Sequence, residues 1–265
     1  MGKVEEGGVI RVGVLGAGGR MGQALITAIG DDVRLQLAGA IERAGHPAVG
    51  NALGGGLTVC TNSSALAHRA DVLIDFTIPE ALAGNLESAC SGACAIVIGT
   101  TGLRAADHAE IDRAARHIAV LQAANTSLGV TLLMALVEQA AARLGPDWDI
   151  EIAELHHRDK RDAPSGTALA LGEAAARGRG VALPQVQAGG DRSGVRRRGD
   201  IGFASLRGGS AAGDHMVLLA GDGERLEFTH RAEHRDIFAR GAVRAAAWLV
   251  GRQPGRFTMR DVLEI

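Results

Sequence analysis

The fold of this chain is decided by the stretch Val9-Ile10-Arg11-Val12-Gly13-Val14-Leu15-Gly16-Ala17-Gly18-Gly19-Arg20-Met21-Gly22. An apolar strand pattern leads into a glycine-rich turn, and a helix pattern follows over residues 23–29. A glycine turn between a strand and a helix is the setting in which a dinucleotide pyrophosphate binds. The spacing here is G-x-x-G-x-x-G, because Met21 holds the sixth position of G-x-G-x-x-G. The turn predicts cofactor-binding residues Gly16, Ala17, Gly18, Gly19, Arg20 and Met21.

An acidic residue follows the second strand pattern. Residues 35–41 are strand-like, and Glu42 comes 20 residues after Gly22, where a carboxylate can accept hydrogen bonds from the adenosine ribose. Arg43 beside it can pair with the 2′-phosphate of NADP. The pair predicts a site for NAD(H), NADP(H) or both. A glycine turn with a surface glutamate, and a solvated Arg43, are the alternative interpretations.

Strand patterns continue through the first half of the chain, at residues 57–61, 72–76, 95–98 and 118–121. Residues 45–56, with five glycines and a proline, are predicted to form a loop. Alternation of strands and helices predicts a parallel, doubly wound, Rossmann-like sheet of the α/β class. Ligands of such sheets bind at the C-terminal strand ends. The predicted cofactor site therefore also includes Phe76, Thr77, Gly99, Thr100, Thr101, Ala123, Ala124, Asn125 and Thr126.

The second half predicts a smaller α+β domain with a mixed sheet. An amphipathic helix pattern covers residues 128–144 and ends at Gly145-Pro146. Strand patterns occur at 150–155, 201–206, 215–220 and 225–230, and Asp222-Gly223 is a hairpin turn. Residues 187–200 are rich in Gly and Arg. They predict a loop, which is either solvated or lies over a site for an acidic substrate.

The densest chemistry lies at residues 154–167, E-L-H-H-R-D-K-R-D-A-P-S-G-T, between a strand pattern and a helix pattern over 168–176. Ser165, Gly166 and Thr167 open that helix with two hydroxyls and backbone N–H groups, an arrangement that binds anions such as carboxylates. His156 can exchange protons near neutral pH. The stretch predicts an anion site beside an acid/base group, and a basic solvated loop with a capped helix is the alternative.

The same stretch resembles the signature of the 4-hydroxy-tetrahydrodipicolinate reductase family, E-x-H-H-x-x-K-x-D-A-P-S-G-T-A, which begins here at Glu154. The resemblance implies NAD(P)H-dependent reduction of a cyclic imine diacid, formed from 4-hydroxy-tetrahydrodipicolinate by loss of water, on the diaminopimelate route to lysine. His156 is then the catalytic acid/base, and Lys160 is a second proton donor that stabilises negative charge. The carboxylate-binding set is His157, Lys160, Ser165, Gly166 and Thr167.

The resemblance also implies how the chain is divided. Residues 1–127, completed by 236–265, form the dinucleotide-binding domain, and residues 128–235 form a substrate-binding and tetramerisation domain. Thr126 stands where the family often has an aromatic residue, and Ile78 where it often has arginine. These departures bear on cofactor affinity and preference. A dehydrogenase acting on aspartate or its semialdehyde, and a non-catalytic NAD(P) sensor, remain rival hypotheses.

Composition excludes several functions. A net charge of −2, 3% aromatic residues and no tyrosine argue against nucleic-acid binding. No apolar run approaches the roughly 20 residues of a membrane span, and residues 1–8 do not resemble a signal peptide. Three cysteines without metal-like spacing indicate the cytoplasm. No metal is expected, because His230 and His234 lack further ligands, and His46, His68, His108 and His117 are predicted to be solitary surface residues.

Overall fold

A computed structural model of the chain describes residues 8–188 and 193–265. The strands are β1 Ile10–Leu15, β2 Leu35–Ile41, β3 Ala52–Gly54, β4 Leu57–Cys60, β5 Val72–Asp75, β6 Ala95–Ile98, β7 Ala119–Gln122, β8 Asp149–His156, β9 Ile201–Arg207, β10 Gly213–Gly221, β11 Glu224–Ala232 and β12 Gly255–Phe257. The helices are α1 Arg20–Gly30, α2 Ser63–Ala67, α3 Leu82–Ser91, α4 Ala105–Ala114, α5 Leu128–Leu144, α6 Gly166–Gly178, α7 Leu183–Val186, α8 Asp236–Leu249 and α9 Met259–Leu263.

The chain divides into two compact units. One contains the chain up to Ser127 together with Asp236–Glu264, and the other contains Leu128–Arg235 and Ile265. The first unit is built on a sheet with strand order β12-β7-β6-β5-β1-β2-β4-β3. All of its pairings are parallel except that of β3 with β4. The order reverses at β1, which places a ligand-binding crevice at the C-terminal end of that strand. The predicted Rossmann-like fold is confirmed.

Helices cover both faces of this sheet. Leu73, Ile96 and Ile98 contribute to a buried cluster with side chains of α2, α3 and α4, while α8 contacts β5, β6 and α1. Within α8, a Cβ at Gly241 would lie 1.8 Å from the carbonyl oxygen of Thr126, so only glycine allows this close approach. Helix α8 therefore packs directly on the loop after β7.

The second unit is built on a four-stranded mixed sheet with the order β11-β10-β8-β9, in which only β8 and β9 are parallel. Helices α5 and α6 contact each other and share a buried cluster with the inner face of the sheet. Side chains alternate between the faces of a strand, and Ile150, Ile152, Val217 and Leu219 point into this core. The predicted smaller α+β domain is confirmed.

Several boundaries differ from those expected from sequence. Helix α1 begins at Arg20, three residues before the predicted start, and Gly19 is its N-cap without a side-chain hydrogen bond. The predicted loop at 45–56 contains β3, which pairs with β4 through a hairpin whose glycines, Gly54, Gly55 and Gly56, have positive φ. The many glycines of this segment predicted a loop, although three of them form the turn of the hairpin. The short helices α2 and α7 also had no clear sequence signal.

The Gly- and Arg-rich segment 187–200 is described only in part, because residues 189–192 lie outside the described residues. Arg196 is paired with Asp149 and Glu151. Asp149 is the first residue of β8 and His156 the last, so Arg196 lies at the other end of the strand from the histidine. Arg196 therefore does not lie over the end of β8 that carries His156. Among all the described residues, no helix combines the length and apolarity that crossing a membrane requires.

Candidate active site

The glycine turn of the first unit is held by its own backbone. Gly16 has a φ of +86°, and the N–H groups of Gly16 and Ala17 both donate to the carbonyl of Ile41 at 2.9 and 3.0 Å. A Cβ at Gly22 would lie 2.1 Å from the carbonyl oxygen of Gly16, so the helix and the turn meet only because residue 22 is glycine. The turn is therefore tight, and its first two amides already have acceptors.

The amides that remain for an anion belong to the first turn of α1. The N–H groups of Arg20 and Met21 have no acceptor within the helix, as in any helix start. They carry the positive end of the helix dipole, which favours phosphate. Of the six predicted turn residues, Arg20 and Met21 thus supply the donors, and Ala17, which is fully buried, supports the turn.

A cavity of about 460 Å³ lies beside this turn. Its lining includes seven of the predicted cofactor residues: Gly16, Gly18, Gly19, Glu42, Arg43, Phe76 and Thr77. The Glu42 carboxylate accepts hydrogen bonds from the N–H of Gly18 at 2.8 Å and of Arg43 at 2.9 Å. Those bonds place the carboxylate at the mouth of the turn, and its binding of a ribose stays a prediction.

His46 also lines the cavity, although the sequence predicted a solitary surface residue. Its Nδ1 accepts from the N–H of Ala48 at 3.1 Å, and its ring lies 2.3 Å from where a Cβ at Gly18 would be. The prediction of a solitary surface residue was wrong for His46, because its contact with the glycine turn is made by the fold and leaves no pattern in the neighbouring sequence.

Buried Asp75 organises the two loops after β5 and β6. Its Oδ1 accepts from the backbone N–H of Thr77 at 2.9 Å, from the Thr77 hydroxyl at 2.6 Å and from the Thr100 hydroxyl at 3.3 Å. Asn85 donates to the other oxygen at 3.0 Å. The predicted residues Thr77 and Thr100 therefore direct their hydroxyls into the protein. Neither Asp75 nor Asn85 had been predicted, because an acid at the end of an apolar strand looks like the beginning of a loop.

Three more predicted cofactor residues, Phe76, Gly99 and Thr101, lie in the same two loops. A Cβ at Gly99 would lie 2.2 Å from the ring of Phe76, so the two loops touch through a glycine. Thr101 is exposed.

The loop after β7 holds the last predicted cofactor residues. The N–H of Ala123 donates to the Ile98 carbonyl at 2.9 Å, Ala124 is exposed, and the Asn125 side chain accepts from the N–H of Ser127 at 2.9 Å. Thr126 is 1% exposed, and its hydroxyl donates to the Phe238 carbonyl at 2.7 Å. The hydroxyl is therefore bonded to α8, and a contact of Thr126 with the cofactor stays a prediction.

In the second unit, the inner face of the sheet changes from apolar to polar along β8. Ile150 and Ile152 belong to the core, whereas Glu154 and His156 continue the same face at 2% and 8% exposure. His215 lies opposite Glu154 on β10. The sequence placed His156 in the loop after this strand, but it is the last residue of the strand. The strand therefore fixes its backbone.

Glu154 is the centre of this polar end. Arg207 donates to both of its oxygens, at 2.8 and 2.9 Å, His156 Nδ1 lies 2.5 Å from Oε2, and the N–H of Ser165 donates to Oε1 at 3.3 Å. Burial favours the neutral carboxyl, but the hydrogen bonds from Arg207 and His156 outweigh it and lower the pKa of Glu154 to about 2. Glu154 is thus an anion at neutral pH.

This anion fixes the tautomer of His156. Because the carboxylate can only accept, Nδ1 of His156 carries the hydrogen and donates it. Nε2 is the nitrogen left to exchange a proton with a ligand, and it lies 2.9 Å from where a Cβ at Gly213 would be. A carboxylate that orients an imidazole in this way is the usual support of a histidine acid/base.

His215 holds the helix cap that follows. Its Nε2 lies 2.9 Å from the hydroxyl oxygen of Ser165, which also accepts from the N–H of Ala168 as the N-cap of α6. Its ring meets that of His156 edge to face, with centroids 5.1 Å apart. Burial, followed by the nearby charge of His156, lowers the pKa of His215 to about 4. Neither His215 nor Arg207 had been predicted.

The remaining predicted residues lie on the loop and at the helix start. The Lys160 ammonium donates to both oxygens of Asp162, at 2.8 and 2.9 Å. Arg235 donates to Nε2 of His157 at 3.1 Å, and both line a cavity of about 410 Å³ together with Asp159. Gly166 and Thr167 form the first turn of α6, beside the buried Ser165.

No metal site accompanies these groups. Across residues 8–188 and 193–265, no three His, Cys, Asp or Glu side chains cluster so as to hold a metal ion.

The two halves of the chain match models of one family. Residues 10–126 match the model described as dihydrodipicolinate reductase, N-terminus, and residues 129–263 match dihydrodipicolinate reductase, C-terminus. The fold is similar to a dipicolinate-bound dihydrodipicolinate reductase from Paenisporosarcina sp. TG-14, with a TM-score of 0.80 over 94% of this chain and 97% of that one. At 23% identity, that likeness is one of fold.

Curated relatives are more similar in sequence. A 4-hydroxy-tetrahydrodipicolinate reductase of Zymomonas mobilis is 53% identical over 257 residues, which cover 96% of this chain and 97% of the relative. One of Parvibaculum lavamentivorans is 51% identical over 266 residues, covering 97% and 98%. Together with the models, they show that the chain belongs to the dihydrodipicolinate reductase family.

Proposed function

We propose that this protein reduces 4-hydroxy-tetrahydrodipicolinate with NAD(P)H, through the dehydrated cyclic imine dicarboxylate, to tetrahydrodipicolinate in diaminopimelate and lysine biosynthesis. The observation that carries the proposal is the buried Glu154–His156 pair beside the N-terminus of α6, in a chain about half identical to curated 4-hydroxy-tetrahydrodipicolinate reductases over nearly its full length. The pair offers a proton and the helix start offers an anion site.

The substrate's carboxylates require donors. Gly166 and Thr167 present the N-terminus of α6, where the helix dipole favours negative charge. Lys160 contributes an ammonium group. Because Arg235 can only donate, Nε2 of His157 accepts, and the N–H that His157 offers is on Nδ1. These donors support a dicarboxylate ligand.

Ser165 contributes its hydroxyl hydrogen. Nδ1 of His215 is buried without a partner among the described residues, and a buried N–H without an acceptor is rare. The hydrogen of His215 is therefore on Nε2 and is donated to Ser165. Since the Ser165 oxygen then accepts from both His215 and Ala168, its own hydrogen is left for a third partner. A carboxylate oxygen is a suitable acceptor for that hydrogen.

The first unit suits a dinucleotide. Its cavity of about 460 Å³ combines the glycine turn and a ribose acceptor, Glu42, and the first-turn amides of Arg20 and Met21 lie beside it as phosphate donors. When bound, the reduced nicotinamide supplies the hydride. The chain's own task is then to deliver a proton. His156 donates it from Nε2, and Glu154 stabilises the charged imidazole, while Lys160 stabilises the negative charge that develops on the substrate.

The test is NAD(P)H oxidation with substrate made in situ by condensing pyruvate with aspartate semialdehyde. Oxidation that requires pyruvate supports the proposal. Oxidation with the semialdehyde alone identifies a dehydrogenase of that aldehyde, and cofactor binding without any oxidation identifies a sensor. Either of these results would contradict the proposal.

We further propose that the protein is a cytoplasmic homotetramer. Its cysteines, Cys60, Cys90 and Cys94, are free thiols, as in a reducing compartment. The small sheet ends in the edge strands β9 and β11, and Leu206 on β9 is 54% exposed; such edges and apolar side chains are commonly covered by another subunit. Sedimentation at micromolar concentration tests this proposal, and monomer alone would contradict it.

A further inference from the structure

The guanidinium of Arg207, at the end of β9, has a hydrogen-bond acceptor for each of its five N–H donors. Two go to the oxygens of Glu154 at 2.8 and 2.9 Å. Nε donates to the carbonyl of Lys160 at 3.3 Å, and Nη2 donates to the carbonyl of Asp162 at 2.7 Å. The fifth donor goes to the carbonyl of Leu206 at 2.7 Å. Because all five N–H groups are bonded in a planar, rigid guanidinium, Arg207 fixes the positions of the Glu154 carboxylate and of the carbonyls that it contacts.

The contacts of Arg207 support both proposed proton donors, His156 and Lys160. His156 is oriented by Glu154, whose carboxylate Arg207 holds from the other side. Lys160 lies in the loop segment whose carbonyls, at 160 and 162, accept from the same guanidinium. The side chain of Arg207 is 21% exposed, and it lies behind these two groups, one contact away from each.

We propose that Arg207 is the positioning residue of this active site, fixing the tautomer and charge of His156 through Glu154 and the placement of Lys160 through the loop backbone. The inference rests on the proposed function, in which these two residues donate protons. Lysine cannot replace this arginine, because an ammonium has three donors on a flexible stem and no planar fork.

The charges around His156 give the proposal a signed test. Beside it are Glu154 from β8, Arg207 at the paired position of β9, and His215 from β10. His230 on β11 and Lys160 on the loop lie near enough to His215 to act on its charge, and Lys160 is itself paired with Asp162. Removing the negative charge of Glu154 makes the imidazolium form of His156 less favourable. Removing the positive charge of Arg207 makes that form more favourable. The two changes should therefore move the pH dependence of catalysis in opposite directions.

Arg196 provides a matched control at the other end of β8. Its five donors are also used, with Nε donating to Glu151 at 3.1 Å and Nη1 to Asp149 at 2.6 Å. Its other bonds reach the carbonyls of Arg197, Ile150 and Asp200. Arg196→Lys thus removes a guanidinium that also donates to β8, but at the end of that strand opposite to His156.

The experiment compares R207K, R207M, E154Q, R196K and the unmodified protein, with kcat and KM measured from about pH 6 to about pH 9. Arg207→Lys is expected to lower kcat by about a hundredfold, and R196K to change it by less than about twofold. The alkaline fall of kcat/KM is expected at lower pH in E154Q and at higher pH in R207M. Equal effects of R207K and R196K on kcat would overturn the proposal, as would shifts of the same sign.

Folding and substrate are controlled separately. If R207M does not fold, the double variant R207M/E154Q, which lacks both charges, replaces it. Its alkaline fall should lie at higher pH than that of E154Q, because the positive charge of Arg207 is gone, and a fall at the same or lower pH would overturn the proposal. ¹⁵N NMR of the histidines reads the His156 tautomer without any substrate, using H156Q for assignment. The Nδ1–H form is expected in the unmodified protein and a tautomer mixture in E154Q. That result stands even if reduction of the proposed substrate is not observed, and an unchanged tautomer in E154Q would overturn the role of Glu154.

Discussion

The geometry of the two proposed binding regions of this protein is set by different kinds of contact, backbone contacts in one and side-chain contacts in the other. In the cofactor region, backbone bonds from Gly16 and Ala17 to Ile41 and the close approach of Gly22 set the geometry. At the polar end of β8, side chains set it, since Glu154 and Arg207 meet across neighbouring strands. A region built from backbone is encoded in consecutive residues. A region built from side chains depends on which strands pair and in which register.

The two regions also differ in where their charges lie. Glu42 is partly exposed and Arg43 is exposed, so their interactions with a ligand are screened by water. Glu154 and His215 are buried, where each charge must be matched by a neighbour. Substitutions should therefore act on chemistry and pH dependence at β8, but on backbone packing or on modest ligand preferences in the cofactor region.

The largest effect is expected at His156. His156→Gln should lower kcat by roughly 10²–10³, because it removes the group proposed to donate the proton. The melting temperature should change little, since glutamine can still donate to Glu154. Steady-state kinetics and thermal melting measure both, and H117Q, at an exposed histidine, is the control. A kcat close to that of the unmodified protein would remove His156 from the chemistry.

The backbone-built region is tested by Gly22→Ala. The added Cβ would lie 2.1 Å from the Gly16 carbonyl oxygen, so the turn or α1 must shift, and we expect a loss of about 3 kcal/mol of stability together with weaker cofactor binding. Gly30→Ala is the matched control on the same helix, because nothing lies within 4 Å of its added Cβ. Urea unfolding and cofactor titration measure the difference. Equal stability of the two variants would mean that the close contact at Gly22 is not limiting.

The side-chain-built region predicts a stability that depends on pH. An unfolded histidine takes up a proton near pH 6.5, whereas burial lowers the pKa of His215 to about 4. Between those values the unfolded state binds more protons, so stability should fall as the pH falls, by up to about 1.4 kcal/mol per pH unit.

His215→Gln should reduce this slope between about pH 4.5 and 6.5. Glu154, whose lowered pKa of about 2 adds stability that is lost as the pH falls below about 4.5, acts under more acidic conditions. His230, whose pKa is also lowered by burial, acts in the same direction as His215 and leaves a residual slope. Urea unfolding at several pH values measures the slope. An unchanged slope in H215Q would show that His215 is not buried in its neutral form.

The smallest effect is expected for cofactor choice. Glu42 can accept from ribose hydroxyls and repels a 2′-phosphate, while exposed Arg43 can offset that repulsion by about 0–1 kcal/mol. We expect NADH to be favoured or equal, within about tenfold in kcat/KM. Glu42→Ala should weaken use of NADH alone, and Arg43→Ala use of NADPH alone. A preference for NADPH above about a hundredfold would mean that another group, for which His46 is the nearest candidate, binds the phosphate.

The sequence by itself determined the Rossmann-like unit, the smaller mixed sheet, and the stretch that carries His156, Lys160 and the α6 cap. These features are local, because strand and helix periodicity, glycine turns and a capping Ser165 are all written in neighbouring residues. Helix α5 was predicted at the residues where it is found, 128–144. Errors at this level arose where glycine concealed order, as in the hairpin of β3 and β4.

Only the tertiary structure decided which side chains meet. Arg207 reaches His156's carboxylate partner because β9 pairs with β8 in the register that places residues 207 and 156 side by side, and His215 faces Glu154 through the register of β10. Likewise, Thr126 turned out to bond α8, and Asp75 to bond the loops after β5 and β6. A shift of one residue in pairing would turn Arg207 and His215 to the opposite face of the sheet. Register depends on the summed packing of whole strands, so no short stretch of sequence reveals it.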